Sequence, residues 1–84
     1  MHQHLIILNP IAGRGAAGKA APHLTRLLAE RGLAYDLVQT ERPGHAIELA
    51  RLAATNGYAV VVAVGGDGTV NEVLNGLLQA RRAD

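Results

Sequence analysis

The chain contains no cysteine, no phenylalanine and no tryptophan, and its 2% aromatic content is two tyrosines. Without cysteine there is no disulfide framework and no thiolate nucleophile. Without large aromatics, a core must be assembled from Ala, Val, Leu and Ile. Charge of one sign is also lacking: eight basic residues face seven acidic ones, for a net +1, and the arginines are scattered. That balance argues against nucleic acid or another polyanion as a partner. No apolar run approaches the ~20 residues of a membrane span. No charged N-terminal region precedes a long apolar stretch, so no secretory signal is expected and a soluble, cytoplasmic protein is. At 84 residues the chain suffices for one small domain. A domain of this size buries only about 60–65% of the surface its unfolded chain exposes, and is marginal by itself.

What is present is alternation. Three apolar runs, "LIIL" (5–8), "LAYDLV" (33–38) and "YAVVVAV" (58–64), are separated by segments of helical period. The first and third are continuously apolar, as in strands of a parallel sheet covered on both faces. The second is interrupted by Asp36, which suits an edge. Strands are expected near 4–9, 33–39 and 59–64. In "HLTRLLAERG", Leu24, Leu27 and Leu28 share a helix face and Gly32 is placed to end it. Pro22 argues against that helix starting much before Gly18, because proline suits only a first turn. In "GHAIELARLAATNG", Ile47, Ala50, Ala53 and Ala54 form a stripe that Asn56-Gly57 stops. A third helix is expected from about Thr69 to Ala80. Successive βα units with right-handed crossovers give an α/β fold of three α/β/α layers, with a short parallel sheet in the order 2-1-3.

Two glycine-rich loops follow the first and third runs. "NPIAGRGAAGKA" (9–20) fits two phosphate-binding patterns: Gly13, Gly15 and Gly18 spell G-x-G-x-x-G, while Gly13, Gly18 and Lys19 spell most of a Walker loop. The Walker reading lacks the hydroxyl that binds Mg²⁺, since Ala20 follows the lysine. The dinucleotide reading has Asn9-Pro10-Ile11-Ala12 between strand and first glycine; Asp36 lies near the spacing of its acidic residue, yet "LVQT" follows it. A plain glycine-rich turn without ligand also fits. The second loop, "AVGGDGTVNEV", runs from a buried strand into a helix. Gly65, Gly66 and Gly68 would let an anion approach the backbone, and Thr69 with Glu72 stands in capping-box register. The helix N-terminus would favour phosphate oxygens. An ordinary capped turn accounts for Thr69, Glu72 and one glycine, but not for three glycines around Asp67. An acid beside phosphates suits Mg²⁺-nucleotide chemistry.

Together, "NPIAGRG" (9–15) and "GGDGTVNEV" (65–73) resemble the two nucleotide-loop signatures of the diacylglycerol kinase catalytic domain, a group that includes bacterial lipid kinases and is similar to the sphingosine and ceramide kinases. The "GGDGT" core is shared more distantly with NAD kinases and phosphofructokinases. The resemblance implies an N-terminal domain of the NAD kinase/diacylglycerol kinase type. It also implies an ATP site at the carboxyl ends of the strands, the usual ligand position in an open α/β sheet. Asn9, Pro10, Ile11, Ala12 and Gly13 would line it. Gly66, Asp67, Gly68, Thr69, Val70, Asn71 and Glu72 would cradle the phosphates. "QTERPGHAIELA" matches the family's threonine followed by a Gly-His-Ala helix start, so Thr40 would reach the nucleotide with its hydroxyl. ATP and Mg²⁺ are the implied cofactors, with Asp67 in a metal or phosphate role. The family's second, β-rich domain supplies the lipid pocket, further Mg²⁺-linked acids and the catalytic base. Residues 1–84 are therefore expected to be the ATP-binding portion of a lipid kinase whose C-terminal domain they lack, and to be inactive alone. Lipid would be met through that domain, with peripheral membrane contact, and self-association would cover a sheet edge.

Two other functions fit parts of the chain: an NAD-kinase-like enzyme, disfavoured by "NPIAGRG" and the contiguous "TVNEV", and a non-catalytic nucleotide-binding module. The remaining candidates have plainer readings. Lys19 reads as a helix-surface residue in preference to a weak phosphate contact, His2 and His4 as a frayed terminus rather than a metal site, and Arg81 and Arg82 as solvated charges suited to a helix C-terminus. His45, at the start of a helix near the site, has either a polar or a ligand role.

Overall fold

The computed structural model describes residues 3–83; His2 and Asp84 lie outside the described residues. Three strands and three helices alternate: β1 (His4–Leu8), α1 (Ala16–Glu30), β2 (Asp36–Gln39), α2 (His45–Thr55), β3 (Val60–Val64) and α3 (Asp67–Ala83). The strands form one parallel sheet in the order β2-β1-β3. Leu5 pairs with Asp36 on one side and Val61 on the other, and Leu8 with Gln39 and Val64.

β1 is central, so Leu5, Ile6, Ile7 and Leu8 are all buried, Ile7 and Leu8 completely. Each such side chain contributes roughly 1.5–3 kcal/mol of transfer free energy. Side chains alternate faces along a strand. Leu5 and Ile7 meet Ala46, Ala50 and Ala53 of α2 and Val73 of α3. Ile6 and Leu8 turn to the opposite face, where α1 packs on β1. The alanines let α2 lie close to the sheet. Between α2 and α3 the approach is closer still: a Cβ at Gly76 would collide with the Ile47 carbonyl oxygen and the Ala50 methyl.

Several boundaries differ from expectation for identifiable reasons. β2 begins at Asp36 rather than residue 33, because the chain first completes a helix stop. The Gly32 N–H donates to the Ala29 carbonyl and the Leu33 N–H to the Leu28 carbonyl, the paired bonds of a Schellman motif. α1 begins at Ala16 and carries Pro22 in its interior, beyond the first turn. Its start is held from outside the helix, since the Gly18 N–H reaches the Pro10 carbonyl at 2.9 Å and the Ala17 N–H the Ala12 carbonyl at 3.2 Å. Leu27 is exposed, with Ala21 the buried residue of α1. On α2 the buried residues are Ala46, Ala50 and Ala53, so Ala50 and Ala53 of the expected stripe face the core while Ala54 faces solvent. α3 starts at Asp67, two residues before the expected Thr69, and continues past Ala80.

Candidate functional site

All three strands point their carboxyl ends the same way, and backbone bonds hold those ends flush. The Asn9 N–H donates to the Val64 carbonyl and the Thr40 N–H to the Leu8 carbonyl, each at 2.9 Å. Beyond these bonds three loops diverge and enclose a cavity of about 260 Å³. Asn9, Pro10 and Ile11 form one wall, Thr40 through Pro43 with Ala46 a second, and Thr69 and Glu72 of α3 a third.

The first loop is tied to the third by one side chain. Asn9 Oδ1 accepts the Ile11 N–H at 3.2 Å, and Asn9 Nδ2 donates to Thr69 Oγ1 at 3.3 Å. Thr69 is only 4% exposed. The expected capping box gives way to this arrangement: Thr69 lies inside the first turn of α3 rather than at its cap, its hydroxyl serves Asn9, and Glu72 lines the cavity. Gly65 is required by the same packing, because a Cβ there would run into the Thr69 side chain. A little further along the first loop, Gly13, Arg14 and Gly15 take successive positive φ values of 62°, 59° and 90°. Arg14 is the one non-glycine among the described residues in that region, a strained conformation of a kind concentrated in functional loops.

Gly66, Asp67 and Gly68 are exposed at the mouth, and a Cβ at Gly66 or Gly68 would meet nothing within 4 Å. Open space at this point means the fold does not need these glycines for room. The first N–H groups of α3 have no partner within the helix and carry the positive end of its dipole. The loop after β2 closes on α2: the Glu41 N–H donates to His45 Nδ1 at 2.9 Å, the His45 N–H donates to the Arg42 carbonyl at 3.1 Å, and the Arg42 guanidinium pairs with the Glu48 carboxylate.

Of the residues singled out in the sequence, the cavity brings together Asn9, Pro10, Ile11, Thr40, Thr69 and Glu72. Ala12 and Gly13 lie further along the first loop, and Gly66, Asp67, Gly68, Val70 and Asn71 are exposed beside the lining rather than in it. Glu41, Arg42, Pro43 and Ala46 line it and were not singled out. Their available signal was the Pro43-Gly44 turn between a strand and a helix. Lys19 is an exposed residue of α1. Asp36 opens β2 instead of closing it, which removes the dinucleotide pattern. It sits at the opposite end of the sheet, where the Tyr58 hydroxyl donates to its Oδ2 at 2.5 Å. That bond, together with burial and the negative charge of Asp36, holds the Tyr58 phenol above its ordinary pKa of 10.0.

Among the described residues no three His, Cys, Asp or Glu side chains gather as a metal cluster. Mg²⁺ accompanying a nucleotide needs only one or two protein carboxylates, with phosphate oxygens and waters completing its shell. Asp67, exposed at the head of α3, meets that lesser demand. No helix is long and apolar enough to cross a membrane, among the residues described.

Residues 3–84 match the model of the diacylglycerol kinase catalytic domain. The chain is 43% identical to human sphingosine kinase 2 over 75 residues, covering 88% of this chain and 12% of that protein. It is 41% identical to sphingoid long chain base kinase 5 of Saccharomyces cerevisiae over 76 residues, 88% of this chain and 11% of that one. Diacylglycerol kinase of Staphylococcus haemolyticus is 36% identical over 74 residues, 88% of this chain and 22% of its own length. The chain thus spans less than a quarter of each of these relatives.

Proposed function

The chain belongs to the diacylglycerol kinase catalytic domain family, and on that footing we propose that residues 1–84 form the ATP-binding portion of a lipid kinase. The observation that carries this reading is the Asn9–Thr69 bond, which ties two glycine-rich loops together around one cavity at the carboxyl ends of parallel strands. A nucleotide would lie across Asn9–Gly13, Thr40 and the Gly66–Glu72 turn. Its phosphates would meet the N-terminus of α3, where backbone N–H groups and the helix dipole favour anionic oxygens. Asp67 would hold the Mg²⁺ that accompanies the nucleotide. When bound, the metal neutralises charge on the transferring group.

The acceptor in this reading is a lipid hydroxyl. Its oxygen forms a bond to the γ-phosphorus, the bond to the β–γ bridging oxygen breaks, and ADP leaves with the electron pair. The hydroxyl proton passes to a base. Relatives named for sphingosine, sphingoid bases and diacylglycerol all match this chain, so the acceptor class is proposed no more narrowly than a lipid alcohol. Contact with a membrane surface would come with such an acceptor. Self-association through the free edge of β3 belongs to the same proposal.

Isothermal titration of Mg·ATP into the chain tests the nucleotide reading. Saturable one-to-one binding that inorganic phosphate does not reproduce is expected. A flat titration at millimolar ATP would overturn it.

A further inference from the structure

Five residues, Glu41 to His45, carry the chain from Thr40 into α2, and Glu41, Arg42 and Pro43 among them line the cavity. The first four have little packing of their own: Glu41, Arg42 and Pro43 are exposed, and Gly44 takes a φ of 81°. Besides the exposed Arg42–Glu48 ion pair, two hydrogen bonds close the segment, and both end on His45. Its backbone N–H donates to the Arg42 carbonyl at 3.1 Å, and its Nδ1 accepts the Glu41 N–H at 2.9 Å. The neighbouring Ala46 is 1% exposed and packed against Leu5 and Ile7. The imidazole therefore extends from a point anchored in the core and reaches back over the turn.

We propose that His45 is a positioning residue whose Nδ1 lone pair sets the Thr40–Pro43 wall of the nucleotide cavity. The proposal rests on the nucleotide reading above. An Nδ1 that accepts an N–H must be bare, so the ring is neutral with its proton on Nε2. The ring acts through the wall: it holds the Glu41 amide, and with it the direction in which the chain leaves Thr40. The α2 N-cap, Gly44, has no side chain with which to do this. Asparagine places an amide oxygen close to where histidine places Nδ1. Glutamine carries the same amide one methylene further out, and alanine has no acceptor at all.

The test compares the wild type with His45→Asn, His45→Gln and His45→Ala by two readouts on the whole chain: Mg·ATP affinity, and hydrogen exchange of the Glu41 amide followed by NMR. An ordinary hydrogen bond contributes a factor of roughly three to ten. His45→Ala and His45→Gln should lose protection at Glu41 and bind Mg·ATP about three- to tenfold more weakly. His45→Asn should stay within about twofold of wild type in both, a rescue that a general loss of stability would not produce. If His45→Ala does not fold, the Asn and Gln pair decides the matter alone. Equal affinities for Asn and Gln, or wild-type protection of Glu41 in His45→Gln, would overturn the proposal. If the wild type itself fails to bind Mg·ATP, the nucleotide reading falls, while the exchange comparison still decides whether His45 holds the wall.

Discussion

At the level of single residues, Asn9 and Gly66 separate two demands that glycine loops combine. Asn9 stabilises the arrangement of loops. Removing its amide in Asn9→Ala takes the donor from Thr69 Oγ1, a buried hydroxyl, and should cost about 1–2 kcal/mol. A urea midpoint lowered at constant m-value is the expected result; an unchanged midpoint would show that the clasp contributes nothing. Gly66 is different, because a Cβ there enters open space. Gly66→Val should therefore leave thermal unfolding nearly unchanged while weakening Mg·ATP binding by at least about tenfold, since the added bulk stands where phosphate would approach the backbone. Equal affinities of the two proteins would remove the third loop from the site. Tyr58 is remote from this chemistry and reports on the fold alone. Its folded pKa is raised, chiefly by the bond to Asp36. That contribution is present below the unfolded value of 10.0 and is lost as pH rises through the folded value. Wild type should lose stability relative to Tyr58→Phe as pH rises above 10.0, measured by urea midpoints, and the two curves should run parallel at lower pH.

Among the elements, α3 and β3 do more than close the fold. The inner surface of α3 meets α2 at Gly76, where a Cβ would run into the Ile47 carbonyl oxygen, and that of β3 packs on α3. Gly76→Ala would force the helices apart and should destabilise by about 1–3 kcal/mol, despite alanine's better helix propensity. A raised midpoint would mean that the helices separate freely. Their outer surfaces are incompletely covered. β3 is an edge strand with Val60 and Val62 exposed, and α3 exposes Val70, Leu74 and Leu78 one turn apart. An uncovered edge with apolar flanks invites pairing. Sedimentation should show association that grows with concentration and weakens in Val62→Lys; a monomer up to millimolar concentration would contradict it.

For the molecule as a whole, the described residues hold a phosphate-favouring helix end and a cavity of about 260 Å³, and among them Glu41, Asp67 and Glu72 are the carboxylates beside it. With Asp67 assigned to the metal and Glu41 and Glu72 in the cavity wall, no carboxylate beside the cavity is left to be assigned as the base for the acceptor hydroxyl. Residues 1–84 should bind Mg·ATP without transferring its γ-phosphoryl to diacylglycerol or sphingosine in mixed micelles at a useful rate. Radiolabelled transfer is the measurement. Robust turnover abolished by Asp67→Ala would show that the short chain already contains the chemistry.

Local pattern determined the order of elements, the parallel sheet and its 2-1-3 arrangement. Those follow from apolar runs of strand length, helix-period stripes between them and the handedness of crossovers, all of which are properties of short sequence windows. The two glycine loops were legible for the same reason, and Thr40 through its resemblance to the family motif. Three things were decided only in the folded chain. Thr69 left its expected cap because Asn9, sixty positions away, supplied a competing partner. Pro22 entered the interior of α1 because Pro10 and Ala12 extended that helix backward. Glu41, Arg42, Pro43 and Ala46 became cavity wall because α2 is packed on β1 and its first residue bonds back over the turn. Each rests on a contact between segments, and a contact has no sequence pattern until the backbone brings its two halves together.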